Sequence, residues 1–372
     1  MLLPKIGILC NSHSYGGLEI NTLRLCQWLT QAGWSVSLLL SEKSSMYANA
    51  HDFTVIPNTI SEYGHTKLRA KTLHQWVTEQ SIEVLLVVYN KDLAIASWYK
   101  RCYNRKIKLI YQQHMKVGIK KKDWIHTFRY AMIDLWISPL HYLKQETLQL
   151  TRVPENKIAV VPLSIEVENF THPPIHKTEA RAVLNLPNNA FIIGVLGRLD
   201  PQKGQDFLVK ILKSIRHIYP DVHLLIMGNA TLHEGDAYVQ KVKKLAEDPE
   251  IKDFIHFRAH QPDPYAFYQA INVFAIPSHG ETYGMVTIEA MASGVPVIGT
   301  DRDGTREILQ NGKYGWLHAY EDEQDFIEEF TKIKQGIEVN EKIKLARKHI
   351  EAHYTVPHMI SGLGKAIQQL FS

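Results

Sequence analysis

Short runs of consecutive apolar residues alternate with longer segments of helical periodicity along almost the whole 372-residue chain. The runs at 6–10, 36–40, 84–89, 107–111 and 135–137 are largely apolar at successive positions, as in strands buried on both faces. Between them, 18–31, 68–80 and 140–150 have helical patterns; in the first, Leu18, Leu25, Trp28 and Leu29 share a face. The pattern pauses after 160–162, and Phe170-Thr-His-Pro-Pro174 suits neither a helix nor an interior strand. It resumes with runs at 191–196, 222–227, 254–257, 273–276 and 295–299. The C-terminal part reads as three helices, 323–334, 341–353 and 358–371. We find no internal repeat and no low-complexity tract.

Alternation of this kind predicts an α/β protein with parallel sheets and right-handed crossovers. Two such series predict two doubly wound, Rossmann-like domains, with the active site in the cleft facing the carboxyl ends of the strands. The domains are placed at 1–165 and 166–352, and a last segment, 353–372, is able to pack on either. Composition agrees with a globular chain, 45% hydrophobic and 22% charged. A net charge of +4 is mild. It speaks against a nucleic-acid binder and suits an enzyme that handles anionic substrates or touches an anionic membrane. Cys10, Cys26 and Cys102 form no C-x-x-C pair, so neither a disulfide framework nor a zinc site is expected and a reducing cytosol is the default. No signal-peptide pattern opens the chain, and no apolar stretch reaches the ~18 residues a bilayer span needs.

The richest stretch is 277–298, Pro277-Ser-His-Gly-Glu281-Thr-Tyr-Gly284-Met-Val-Thr-Ile-Glu289-Ala-Met-Ala-Ser-Gly294-Val-Pro296-Val-Ile. A strand ends at Pro277, a polar loop follows, a helix starts near Gly284, and Gly294 ends it in the left-handed role. Free backbone N–H groups at Gly284, Met285 and Val286 form a natural phosphate site. Glu281 and Glu289 carry acceptor-only carboxylates suited to vicinal hydroxyls. The alternative is that Glu281 caps the helix and Glu289 is a solvated charge. Directly after the run 191–196 comes Gly197-Arg198-Leu-Asp200-Pro-Gln-Lys203-Gly204. Arg198 and Lys203 there would neutralise a diphosphate and stabilise it as it leaves; a solvated Asp-Pro turn is the alternative. Gly16 and Gly17, between the first strand and first helix, permit a close backbone approach to phosphate or sugar but do not spell G-x-G-x-x-G. His114 ends a strand, as one of 19 histidines.

Two further features compete with these. Asp301-Arg-Asp303 spells a D-x-D, a pattern able to bind a divalent metal, but no other carboxylate or histidine cluster accompanies it. The segment from Lys116 to Arg129 mixes Lys120, Lys121 and Lys122 with Ile119, Trp124, Ile125 and Phe128. It reads either as a membrane-surface segment or as a mobile basic loop over the cleft.

Together these motifs resemble the retaining glycosyltransferases of the GT-B fold, family 4 or "group 1". The resemblance rests on Glu281 and Glu289 followed by Ala-Met-Ala-Ser-Gly-Val-Pro-Val-Ile, the preceding Gly-Arg-x-x-x-x-Lys-Gly loop, the Gly16-Gly17-x-Glu19 loop and His114. Val161-Pro-Leu-Ser-Ile-Glu-Val-Glu-Asn-Phe170 is similar to the family's interdomain stretch, with Leu163-Ser164 in place of Asn-Gly. The resemblance implies that Arg198 and Lys203 bind the donor diphosphate and that Gly284, Met285 and Val286 offer amides to phosphate and sugar. It implies that Glu281 holds the sugar hydroxyls, Glu289 the ribose, and that Gly16 and Gly17 approach the phosphate while His114 touches the sugar. It further implies transfer without metal or cofactor, and a last helix that crosses back to the first domain. The expectation is a cytoplasmic hexosyltransferase, peripheral on the inner membrane face, acting from a UDP-sugar on a glycan or lipid-linked acceptor in polysaccharide or lipopolysaccharide synthesis. Two other readings remain: a nucleotide-sugar-binding or phosphorylase-like relative, and an NAD-dependent oxidoreductase, which the missing G-x-G-x-x-G disfavours.

Overall fold

The computed structural model describes residues 3–14, 16–61, 66–229, 236–261 and 263–371. Two compact units divide the chain: Met1–Pro162 with Val356–Ser372, and Leu163–Thr355. The first boundary falls a few residues before 165. The last helix, Val356–Gln368, counts with the first unit.

The first unit holds one sheet of seven strands: β1 (Ile6–Cys10), β2 (Val36–Ser41), β3 (Pro57–Ile60), β4 (Val84–Val87), β5 (Lys108–Gln112), β6 (Leu135–Ser138) and β7 (Ile158–Val160). Their order is β3-β2-β1-β4-β5-β6-β7, and every pairing is parallel. Parallel strands need crossovers, so helices cover both faces and successive residues are buried in opposite directions. Ile6, Ile8 and Cys10 of β1 face one core, which the helix Gly17–Gln31 and Met359, Leu363 and Ile367 of the last helix complete. Leu9 faces the other core, with Leu73, Trp76 and Tyr99 from the helices Thr66–Glu79 and Leu93–Cys102.

The second unit repeats the plan with β8 (Phe191–Leu196), β9 (Val222–Met227), β10 (Ile255–Arg258), β11 (Val273–Ile276), β12 (Val297–Thr300) and β13 (Trp316–His318), in the order β10-β9-β8-β11-β12-β13. These pairings too are all parallel. Its sheet thus reverses direction of growth between β8 and β11, as the first does between β1 and β4. Such a switch point leaves a crevice beyond the strands' carboxyl ends.

The structure departs from the sequence expectation at 170–174. Phe170 and Thr171 close a one-turn helix, Val167–Thr171, and the prolines follow it. Phe170 is buried with its ring edge-on to Tyr265 and Tyr268, so tertiary packing rather than propensity sets this turn. Strands β3 and β13 went unforeseen, and β7 was foreseen only as the end of a run at 160–162.

Gly194 lies in β8 where the helix Tyr265–Ala270 and its exit cross the sheet; an added Cβ would meet Ile271 Cγ2 at 2.6 Å and Phe267 Cζ at 2.8 Å. Both neighbours are fully buried. Gly194→Ala is therefore expected to destabilise the second unit by about 1–3 kcal/mol through overpacking, read as a lower urea midpoint. An unchanged midpoint would show that the helix yields freely.

Candidate active site

The loop after β8 is built as a rigid turn. Asp200 caps it, its carboxylate accepting from the Gln202 amide at 2.9 Å, and Pro201–Lys203 form a single helical turn. Gly204 follows at φ +70, and an added Cβ there would sit 2.3 Å from the Pro277 carbonyl oxygen. Only glycine lets the backbone come that close. The Asp-Pro turn foreseen as an alternative is thus present, and it presents Lys203 inward. The His279 amide donates to the Gln202 carbonyl at 2.8 Å, fastening this loop to the one after β11.

That fastening brings Lys203 Nζ to 2.6 Å from Glu281 Oε2. Glu281 is only 8% exposed, so it sits in a nearly enclosed place, and Gly284 rather than Glu281 caps the helix. Gly284 caps the helix Met285–Ser293 at φ +86. An added Cβ at Gly284 would press on Thr287 Oγ1 at 2.9 Å and Glu281 Cγ at 3.0 Å. The first amides of that helix, at Met285 and Val286, begin beside the Lys203–Glu281 pair and favour negative charge. Gly294 ends the helix at φ +73. Arg198 stands exposed in the same loop as Lys203. Among the described residues its guanidinium has no hydrogen bond or ion pair, while its carbonyl accepts from Gln205 Nε2 at 2.8 Å.

Glu289 is half-buried on this helix and accepts from the Tyr268 hydroxyl at 2.8 Å. Burial, and then the neighbouring Glu289 charge, lift the Tyr268 phenol well above its ordinary pKa, so it stays a donor. Asp301 is engaged elsewhere: Arg306 binds it through Nε to Oδ1 at 2.6 Å and Nη2 to Oδ2 at 2.8 Å.

The first unit places the Gly16-Gly17 turn after β1, at its own switch point, and His114 after β5. Gly16 caps the helix Gly17–Gln31, and its amide donates to Glu19 Oε2 at 2.9 Å. The other oxygen of this buried carboxylate accepts from Ser12 Oγ. Gly17 is exposed, and Tyr15 lies outside the described residues. Asn11 is locked to buried Asp92 by two bonds of 2.8 Å. His114 follows buried Gln113, which accepts from Trp136 Nε1 at 3.0 Å and Thr147 Oγ1 at 3.3 Å. His114 Nε2 is buried and, among the described residues, has no hydrogen-bond partner, and desolvation pulls its pKa down to about 4. Sequence reasoning read Glu19 only as part of the Gly16-Gly17-x-Glu19 loop, and it missed Asp92, Tyr268 and Gln113 as groups that orient the site. Only Glu19, three residues past a glycine cap, left a readable signal.

Each unit thus has a doubly wound α/β build, and the second carries an anion-ready helix start beside the ion pair of buried Glu281 with half-buried Lys203. The family profile "Glycosyl transferases group 1" matches residues 176–349, and "Glycosyltransferase Family 4" matches 15–169. The D-inositol 3-phosphate glycosyltransferase of Corynebacterium urealyticum is 34% identical over 173 residues, 45% of this chain and 41% of that protein. This chain therefore spans well under two thirds of such curated relatives. The structure of Anabaena HepE in complex with UDP superposes with a TM-score of 0.87 at 18% identity, covering 98% of this chain and all of that one. A glycosyltransferase from Rickettsia africae gives 0.88 at 16%, over 100% of this chain and 99% of its own. At such identities the structures speak for the fold, two Rossmann-like parallel-sheet units of the GT-B kind. The chain belongs to the group 1, or family 4, glycosyltransferases.

Burial also depresses His223 and His349 to about 4. With His114 these rings stay neutral in the folded state while the unfolded chain takes up protons below about 6.5. Stability contributed by their neutrality is fully present above that value and is lost as pH falls from about 6.5 towards 4. Urea midpoints measured across this range are expected to fall, with the carboxylates adding their own loss at the acid end. A flat profile between 6.5 and 5 would contradict the burial of these three rings.

Proposed function

We propose that this chain is a retaining hexosyltransferase that moves a hexose from a UDP-sugar to a glycan or lipid-linked acceptor in envelope, lipopolysaccharide or extracellular polysaccharide synthesis, without metal or cofactor. The observation that carries this reading is the preformed Lys203–Glu281 pair at the start of the Gly284-capped helix. Sugar hydroxyls donate to Glu281, which Lys203 holds in place. The diphosphate lies on the amides of Gly284, Met285 and Val286 with Arg198 and Lys203 against it, and Glu289, oriented by Tyr268, takes the ribose hydroxyls. The roles that the family resemblance implies are contact with phosphate for Gly16 and Gly17 and contact with sugar for His114. Anabaena HepE, similar in fold, has been solved with UDP and with UDP-glucose.

The acceptor hydroxyl attacks the anomeric carbon on the face that the diphosphate leaves. The C–O bond to phosphate breaks as the new one forms, and the proton passes to the departing phosphate oxygen, so configuration is retained. Positive charge from Arg198 and Lys203 grows in value as the leaving oxygen gains charge. With UDP-glucose as donor, Glu281→Ala and Arg198→Ala are each expected to lower kcat/KM by roughly 10²–10³-fold while the melting temperature stays near wild type. Full activity in both variants would remove the site assignment. The relatives named D-inositol 3-phosphate glycosyltransferases favour a second acceptor reading, a small phosphorylated polyol; product analysis over both acceptor classes separates the two.

The proposed work place is the inner face of the cytoplasmic membrane, reached through the segment from Lys116 to Arg129. Among the described residues no helix is long and apolar enough to cross a membrane. The first unit carries 21 Lys and Arg against 11 Asp and Glu, the second 21 against 27. Met115, Ile119, Trp124 and Ile125 are exposed beside Lys120, and Asp123 caps the helix Trp124–Ala131. Basic charge draws the face to anionic lipid and the apolar side chains enter the interface. Wild type is expected to pellet with phosphatidylglycerol vesicles at low salt, and a variant with Lys120, Lys121 and Lys122 all changed to Ala to pellet less. Equal pelleting of the two would refute the membrane role.

A further inference from the structure

Tyr283 sits between Glu281 and Gly284 in the loop after β11, and it is 5% exposed. Its hydroxyl donates to the Leu163 carbonyl at 2.6 Å, across 120 residues of sequence. Among the described residues no other donor reaches that carbonyl. Leu163 is the first residue of the second unit. Directly after it, Ser164 Oγ donates to the Thr355 carbonyl at 3.0 Å and the Ile165 amide to the Tyr354 carbonyl at 3.1 Å. Ile165 and Thr355 also form an isolated parallel bridge. Thr355 is the last residue of the second unit before the chain returns to the first. The two passages of the chain between units are therefore stitched to each other, and Tyr283 bonds the loop to that stitch.

The other bonds that hold the loop lead elsewhere. The His279 amide reaches Gln202, the Gly304 amide reaches the Glu281 carbonyl at 3.1 Å, and Thr300 Oγ1 reaches the Ser278 carbonyl at 2.9 Å. All of these lie within the second unit's sheet edge, remote in sequence from the crossings. Burial, with Tyr354 and Glu307 nearby, keeps the Tyr283 phenol protonated well above its ordinary pKa, so it is a donor at any working pH. A buried carbonyl with one partner is costly to strip, which makes this bond persistent.

We propose that Tyr283 is a positioning residue that couples occupancy of the donor loop to the two chain crossings. The inference rests on the reading of this loop as the donor site. A ligand drawn onto Glu281 and the Gly284 helix start fixes the short loop between them, and the Tyr283 hydroxyl passes that restraint to Leu163. Through Ser164 and Ile165 it reaches Thr355 as well. The chemical groups that bind the donor are untouched by this bond, so its loss separates binding from turnover.

The test is hydrogen exchange of the full chain, with and without UDP, read by mass spectrometry on wild type and Tyr283→Phe. In wild type UDP is expected to slow exchange over 277–293 and also over 161–166 and 353–357. In Tyr283→Phe protection over 277–293 should remain and protection at the crossings should disappear. With UDP-glucose, kcat should fall about tenfold while the donor KM stays within about threefold, the worth of one hydrogen bond appearing in turnover alone. Ser164→Ala, which loosens the stitch without touching the loop, should show the same loss at the crossings and serves if the Phe variant folds poorly. Crossing protection equal to wild type in both variants, or absent from wild type, overturns the coupling. Absence of any UDP protection over 277–293 in wild type instead contradicts the donor-site reading itself.

Discussion

The contact of Gly204 with the Pro277 carbonyl is the constraint on which the candidate site depends. An added Cβ would stand 2.3 Å from that oxygen, so the loops after β8 and β11 meet backbone to backbone. That approach is what puts Lys203 against Glu281 at 2.6 Å in a nearly enclosed position. An ion pair of this kind, with Glu281 buried and Lys203 half-buried, is weak support for stability, because desolvation offsets much of its attraction. Its plain use is to hold a carboxylate at one place. A larger residue at Gly204 would separate the loops, and the pair would become two unrelated surface charges.

The same logic runs through the rest of the site. Parallel strands force crossovers, crossovers cover both faces, and a crevice is left beyond the carboxyl ends at the switch point. Between β8 and β11 this region holds a cation-bearing turn, an acid and the start of a nine-residue helix. Between β1 and β4 it holds a glycine-capped helix start and the Asn11–Asp92 lock. The anionic and polyol parts of a nucleotide sugar match the first set chemically, which is why the donor reading attaches to the second unit.

Much of the fold was legible because consecutive apolar residues bounded by turn formers have few other uses. Strands β1, β8, β9 and β11 fall where the apolar runs fall. Strands β3 and β13 escaped because they sit at sheet edges and pair on one side only; Pro57-Asn-Thr-Ile60 carries no apolar run. The one-turn helix ending at Thr171 escaped for another reason, since Phe170 is held by rings nearly a hundred residues away. At the site, Glu281, Gly284 and Glu289 could be read because they share one short segment. Their partners could not. Tyr268 reaches Glu289 over 21 residues, Lys203 reaches Glu281 over 78, and Tyr283 reaches Leu163 over 120. Only the folded chain states which polar residues are paired.

The central claim is that the second unit grips a diphosphate through Arg198, Lys203 and the helix start at Gly284. Calorimetric titration of wild type and Arg198→Ala with uridine and with UDP addresses it most directly. The account predicts that wild type binds UDP at least about 100-fold tighter than uridine, as charge-assisted bonds to phosphate require, and that Arg198→Ala loses most of this margin while its uridine affinity is unchanged. Equal affinities for uridine and UDP in wild type, or a margin untouched by the substitution, would contradict it.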